Sequence, residues 1–165
     1  MKHFSESVEI AVDPQTVWRA LTDPKEVACW DTGIVEALDA PPDYPRAGQH
    51  VRWRYRLGPL FLVLHDRPIL VETASTFASS IQLGPFDFEE TYTLQRIAAS
   101  ATELTAELSL TSRIPLLGSL IERIVGQPLA RATVRTALAA IKCHCENHVE
   151  LFGTGHWVPV QIKEK

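Results

Sequence analysis

Glu90 and Tyr92 are the two residues whose types and spacing best fit action on a bound molecule. They alternate in phase with Phe86, Phe88 and Leu94, so we expect all five side chains on one face of a strand. A carboxylate among aromatic rings loses hydration, which raises its pKa and suits acid–base chemistry or a hydrogen bond to a ligand. Pairing of Glu90 with a neighbouring residue, or a β-bulge that shifts the phase, explains the same pattern.

His148 would face the same space, because it lies on the apolar stripe of a helix near the end of the sequence. In a catalytic interpretation, Glu90 acts as general acid or base while Tyr92 or His148 polarises a carbonyl group. A histidine in such a stripe is more often a hydrogen-bonded core residue, and that alternative stays open here.

Metal and nucleophile motifs do not fit the sequence. Cys143, His144, Cys145 and His148 are of zinc-ligand types, but residues one or two positions apart on a helix point in different directions. We therefore predict no metal, with Cys145 in the core and Cys143 exposed. The histidines show no two-His, one-carboxylate iron set, no Gly-x-Ser-x-Gly elbow is present, and no cofactor is expected.

The elements that must position these residues begin with an alternating strand, Phe4–Val12. Asp13-Pro14 and Asp23-Pro24 each combine an N-cap with a proline at the first helical position, which predicts two short helices. Alternation and turn residues then predict further strands: Ile34–Leu38, His50–Leu57, Leu60–Val71, Phe77–Leu83, Phe86–Leu94 and Glu103–Thr111. We expect Leu60–Val71 to be buried on both faces and interrupted at 65–68.

Helical periodicity returns after Pro115, first in 117–125 and then, beyond Gly126-Gln127-Pro128, in one long helix that ends near Phe152. Strands joined by turns, with the helices segregated from them, indicate the α+β class. We predict a curved antiparallel sheet of about six to seven strands wrapped around this C-terminal helix.

Three arginines, Arg52, Arg54 and Arg56, alternate with the apolar residues of their strand. If Trp53 and Tyr55 face inward, the arginines lie on the outer face, where they meet solvent or a second copy of the chain. An anionic partner or a membrane surface is disfavoured by the acidic balance of the sequence.

The opening segments, Val8–Pro14 and Val17–Pro24 with Trp30, resemble the START-like (SRPBCC) superfamily, which has the Bet v-like helix-grip fold, and within it the polyketide cyclase/dehydrase branch. The resemblance implies one START-like domain over residues 1–152, a tail over 153–165, and a cavity between sheet and long helix. Residues expected to contact a ligand there are Trp30, Trp53, Tyr55, Phe77, Phe88, Leu138 and Ile141.

The resemblance implies binding of a hydrophobic, lipid-like or aromatic, polyketide-like molecule. A cyclase or dehydratase that uses Glu90, Tyr92 and His148 is the first alternative, and a protein-interaction module is the second. Because the fold hosts both carriers and enzymes, whether the chain is an enzyme stays open at this stage.

Length and composition agree with one globular domain: 165 residues, 45% hydrophobic and 22% charged. A net charge of -4 disfavours nucleic-acid binding, and the longest apolar run is far shorter than the ~20 residues of a membrane span. Three cysteines without framework spacing and a polar N-terminus predict a cytoplasmic protein.

Overall fold

Seven strands and three helices form the described part of the computed structural model, which covers residues 2–112 and 127–153, with side chains for 4–109 and 131–147. In chain order the elements are β1 (Lys2–Ile10), α1 (Pro14–Thr22), α2 (Pro24–Trp30), β2 (Ile34–Ala37), β3 (Val51–Leu57), β4 (Leu60–Glu72), β5 (Thr76–Leu83), β6 (Phe86–Ala98), β7 (Ala101–Ser112) and α3 (Gln127–Gly153).

All seven strands belong to one antiparallel sheet with the order β1-β7-β6-β5-β4-β3-β2. Two-residue turns join β3 to β4 and β5 to β6, and each begins with a glycine in the left-handed region, Gly58 at φ +59° and Gly84 at φ +56°. The predicted α+β helix-grip fold, with two short helices after the first strand, is confirmed.

The two short helices begin where the sequence predicts. The Asp13 side chain accepts a hydrogen bond from the Gln15 amide at 2.9 Å, and Asp23 accepts one from Lys25 at 2.8 Å. A proline fills the first helical position after each aspartate, where no amide hydrogen is needed. Together α1 and α2 bring Trp30 and Asp31 over one end of the sheet.

The main core lies where α1 and α3 cover the strands β1, β6 and β7. Ile141 of α3 is fully buried there beside Leu138, and both belong to one cluster with Ile10 and Leu104. The predicted placement of Cys145 in the core and Cys143 at the surface is confirmed. The predicted helical segment 117–125 and the side chain of His148 lie outside the described residues, as does the tail beyond Gly153.

The prediction that Leu60–Val71 is interrupted and buried on both faces is wrong. β4 runs continuously through His65–Pro68, and its outward side chains are exposed, with Phe61 at 63% and Val63 at 44%. The described helices cover one face of the antiparallel sheet, and the exposed side chains of β4 lie on its other face. The strand accommodates Pro68 because the register shifts immediately after it, between Pro68 and Leu70.

Arg52 and Arg54 of β3 lie on that outer face, as predicted, whereas Arg56 also borders the space between the hairpin and α3. Arg52 pairs with Asp39 and Arg54 with Glu36, each at 2.6 Å and each half exposed. Exposed pairs of this kind contribute at most about 1 kcal/mol to stability. Within the described residues, no helix is long and apolar enough to cross a membrane.

Candidate functional site

A small cavity lies between α2 and the inner face of strands β3 to β6; we call it the inner chamber. Its volume is about 80 Å³. Most of its wall is apolar or aromatic: Leu21, Val27, Trp30, Ile34, Trp53, Leu64, Phe77 and Ile81. Its polar groups are Asp31, Tyr44, Asp66, Ser79, Glu90 and Tyr92. An apolar wall with a few convergent polar groups is typical of small-molecule sites.

A larger space, which we call the outer cleft, lies between the α2–β2 connection, the β3–β4 hairpin and one face of α3. Its volume is about 590 Å³. Tyr55 and Arg56 line it from β3, while small residues, including Ala137 and Ala140, line it from α3. The outer cleft and the inner chamber share Trp30 and Asp31 as wall residues, so the two spaces are neighbours.

Asp66 is the most heavily hydrogen-bonded acid of the inner chamber. Its Oδ2 accepts bonds from Tyr44 Oη at 3.1 Å and from Trp53 Nε1 at 3.2 Å, and its Oδ1 accepts a short bond from Ser79 Oγ. Burial raises the pKa of Asp66 above its usual value, although the three donors act in the opposite direction. The carboxyl group is therefore fixed in position.

Glu90 lies directly opposite Ser79 in the β5–β6 ladder, and Tyr92 is two residues farther along the same face. Tyr92 Oη donates a hydrogen bond to Glu90 Oε1 at 2.5 Å. Burial raises the pKa of Glu90 to about 7; the bond from Tyr92 acts against this rise, and the negative charges of Asp66 and Asp31 contribute to it. A carboxyl group near pKa 7 can give or take a proton under neutral conditions.

The second carboxylate oxygen of Glu90 has no hydrogen-bond partner among the described residues. Every fully buried side-chain oxygen in the described part of the chain has a hydrogen-bond partner. Because Oε2 has none, it is not fully buried and reaches open volume. Glu90 is accordingly half-buried, enclosed by protein but accessible from the chamber that it lines. This oxygen is available to a bound molecule.

Asp31 closes α2 and lies between the two spaces. Its Oδ1 accepts a hydrogen bond from the Gly33 amide at 2.8 Å, and burial raises its pKa. Three carboxyl groups thus border the inner chamber, and no lysine, arginine or histidine from the described residues lines it. The negative charges of Asp31 and Asp66 disfavour ionisation of Glu90.

The structure brings together several of the residues that the sequence predicts for the site. Glu90, Tyr92, Trp30, Trp53 and Phe77 all line the inner chamber. Tyr55 lines the outer cleft instead. Their roles in catalysis or binding stay predictions.

Three other predicted ligand contacts do not lie on either wall. Leu138 and Ile141 are buried in the core, because the face of α3 that carries them packs on the sheet while a different face borders the outer cleft. Phe88 packs against the same core. Contact of these three residues with a ligand stays a prediction. His148 belongs to α3, but its side chain lies outside the described residues.

Four polar residues of the chamber wall are not predicted by the sequence pattern: Asp31, Tyr44, Asp66 and Ser79. A signal existed for Asp66, since it alternates with Leu64 and Pro68 along one unbroken strand. The prediction of an interruption at 65–68 fails there because charged residues followed by a proline are equally typical of a loop. Tyr44 comes from a proline-rich loop without periodicity, so no pattern could assign its direction.

The zinc-type residues of α3 point apart. His144 Nε2 lies 3.1 Å from Glu26 Oε2, while Cys145 is buried and Cys143 is exposed. In the described part of the chain, no three His, Cys, Asp or Glu side chains are grouped as metal ligands.

Comparison with known proteins identifies the family of this chain. The family model described as polyketide cyclase / dehydrase and lipid transport matches residues 1–146. The chain belongs to this family. The START-like resemblance of the opening segments is confirmed. No curated protein matches the chain in sequence.

Solved structures of this family's fold are similar in shape and distant in sequence. The Zhui aromatase/cyclase from Streptomyces sp. R1128 superposes with a TM-score of 0.75 at 16% identity, covering 92% of this chain and 98% of that one. A START superfamily protein from Mycobacterium smegmatis gives 0.63 at 16% identity, with 91% and 98% covered. Protein MLL2253 from Mesorhizobium loti gives 0.67 at 17% identity, with 88% and 98% covered. At these identities the likeness establishes the fold alone.

Proposed function

We propose that this protein binds an apolar small molecule whose polar end occupies the inner chamber and whose apolar body occupies the outer cleft. The observation that carries the proposal is an aromatic and apolar cavity that ends at the Asp66–Glu90 wall. The outer cleft, at about 590 Å³, falls in the range of about 300–1,000 Å³ typical of small-molecule sites. The family, which includes lipid transport, supports the same function.

The polar wall supports binding rather than a purely structural role for the cavity. Asp66 is held by three donors and organises the wall, while Glu90 Oε2 is left accessible. A core built only for stability would bury apolar groups at this position, because buried carboxyl groups cost free energy.

Obstruction of the outer cleft tests the proposal with a neutral fluorescent probe, Nile red. Ala140 lines the cleft, whereas Ala139, the residue before it, is exposed and lies outside both walls. We expect Ala140→Phe to weaken Nile red binding at least about tenfold, since a phenyl ring fills part of the cleft. Ala139→Phe adds the same ring at the surface and should bind as the wild type does. Equal binding by both variants would place the probe elsewhere and contradict the proposal.

A second function, proton transfer in a cyclase or dehydratase reaction, is favoured by the contact between Glu90 and Tyr92 beside open volume. The Glu90 carboxyl would act as acid or base, and the Tyr92 hydroxyl would assist at a carbonyl oxygen. Cyclisation of a synthetic poly-β-ketone, followed by absorbance, would test this function. Glu90→Gln and Tyr92→Phe should each slow turnover by about 10²-fold or more. Turnover that is unchanged in both variants would exclude these residues.

The cytoplasmic location, the second-copy contact of the β3 arginines and the interaction-module alternative stay predictions. Exposed apolar side chains on the outer face of β4, such as Phe61 and Val63, are compatible with the last of these.

A further inference from the structure

We propose that the inner chamber accepts a hydrogen-bond donor, a hydroxyl or an amino group, at the polar end of its ligand and rejects a carboxylate. This inference rests on the proposed binding function and names the chemical class of the ligand. It follows from a count of the free donors and acceptors on the chamber wall, together with the charges that face it.

The donors of the chamber wall are already used within the protein. The hydroxyl groups of Tyr44 and Ser79 and the indole N–H of Trp53 all donate to Asp66. Tyr92 donates its single hydroxyl hydrogen to Glu90. The remaining indole, Trp30, donates Nε1–H to the Ala20 carbonyl at 2.8 Å. At pH 8, where Glu90 is ionised, no side-chain donor from the described wall is left for an incoming acceptor.

The acceptors of the wall, in contrast, exceed what the protein uses. Glu90 Oε2 has no partner among the described residues, whereas the Asp31 carboxylate accepts from the backbone amides of Gly33 and Ile34. Both residues line the chamber, and Asp31 also lines the outer cleft. A ligand that enters through the cleft therefore meets the Asp31 carboxylate and the free oxygen of Glu90.

Charge points in the same direction. Three acidic residues line the chamber: Asp31, Asp66 and Glu90. Among the described wall residues of the two spaces, the basic one is Arg56, which borders the outer cleft. A ligand carboxylate in the chamber would be an unpaired anion facing like charges, which is among the costliest arrangements in a protein interior. A hydroxyl can donate to Glu90 or Asp31, and an ammonium group would in addition neutralise their charge.

The chamber's volume, about 80 Å³, limits this contact to the end of the molecule. A liquid water molecule takes about 30 Å³, so a terminal hydroxymethyl or aminomethyl group fits while a long chain must extend into the outer cleft. Matched ten-carbon probes that differ only at one end therefore test the inference.

The experiment is displacement of Nile red at pH 8 by 1-decanol, decylamine and decanoate. We expect the alcohol and the amine to displace the dye at concentrations at least about tenfold below that of decanoate. Decanoate that competes as well as the alcohol would overturn this inference and leave the proposed binding function standing. Failure of Nile red itself to bind would overturn the proposed function and the inference with it.

A charge-neutral variant and a matched control test whether the preference for the alcohol and the amine over decanoate arises in the chamber. Glu90→Gln keeps the shape of the side chain, and Glu89→Gln makes the same change at the exposed neighbouring residue. We expect the tenfold preference to shrink at least about threefold in Glu90→Gln and to persist in Glu89→Gln. Asp31→Asn gives a second variant if Glu90→Gln fails to fold. A preference unchanged in both chamber variants would overturn the proposal.

Discussion

Replacement of Glu90 by glutamine should remove a large part of the pH dependence of this protein's stability. Burial raises the pKa of Glu90 from its usual 4.5 to about 7 in the folded state. Between these values the folded protein holds a proton that the unfolded chain has released. The resulting stabilisation is therefore present at low pH and is lost as the pH rises through 7.

The size of the effect follows from the shift. One pKa unit corresponds to about 1.4 kcal/mol, so the Glu90 contribution to the free energy of unfolding should fall by about 2–3 kcal/mol between pH 5 and pH 8. Asp31 and Asp66 also have raised pKa values and act in the same direction. Asp13 and Glu146 have lowered pKa values and titrate below this window.

Urea unfolding at pH 5, 6, 7 and 8 measures the effect. The free energy of unfolding of the wild type minus that of Glu90→Gln isolates the Glu90 contribution, since the other titratable groups are common to both proteins. This difference should change by about 2–3 kcal/mol across the series, whereas Glu89→Gln should track the wild type. A wild type minus Glu90→Gln difference that stays constant to within about 0.5 kcal/mol would refute the reasoning, because it would mean that Glu90 ionises in the folded chain as it does in water.

Three further predictions address the wall, the cleft and the core. Asp66→Ala removes the acceptor of three buried donors at about 1–3 kcal/mol each, so urea unfolding should show a loss of at least about 3 kcal/mol; a loss below about 1 kcal/mol would contradict the hydrogen-bond network. Gly33→Ala places a methyl group 2.4 Å from the Tyr55 ring, which must swing aside, so Nile red affinity should change severalfold while stability changes by less than about 1 kcal/mol. An unaltered affinity would show that Tyr55 does not contact the dye. Ile141→Ala should cost about 2–5 kcal/mol in urea unfolding and leave dye affinity unchanged, since Ile141 lies in the core; a weakened affinity would return it to the cavity wall.

Most of the fold could be predicted because its signals are local. Alternation locates the strands, and the Asp-Pro pairs locate the starts of α1 and α2, where the caps form as expected. The exposure of β4 was not predictable in the same way. Phe61 and Val63 are apolar, and only the placement of the helices on the other face of the sheet decides that they meet solvent.

The site was predicted in part for a related reason. Glu90 and Tyr92 reveal their direction through the phase of β6, a property of the sequence itself. Asp66 has the same phase information in β4, but its charged neighbours and Pro68 are equally typical of a loop. The bond from Tyr44 to Asp66 joins residues 22 positions apart, and no periodicity relates a loop residue to a strand.

The unequal hydrogen bonding of the three acids assigns them different roles. Asp66 receives three donors and is saturated, so it fixes Tyr44, Trp53 and Ser79 in place. Glu90 receives one donor, the Tyr92 hydroxyl, at one oxygen and presents the other to open space, whereas Asp31 accepts from the backbone amides of Gly33 and Ile34. Buried acids with unused acceptors destabilise the folded chain, and a ligand that donates to them binds only the folded state. Binding of 1-decanol or decylamine should therefore raise the unfolding midpoint, and this gain should be smaller in Glu90→Gln because the cost that the ligand offsets has already been removed.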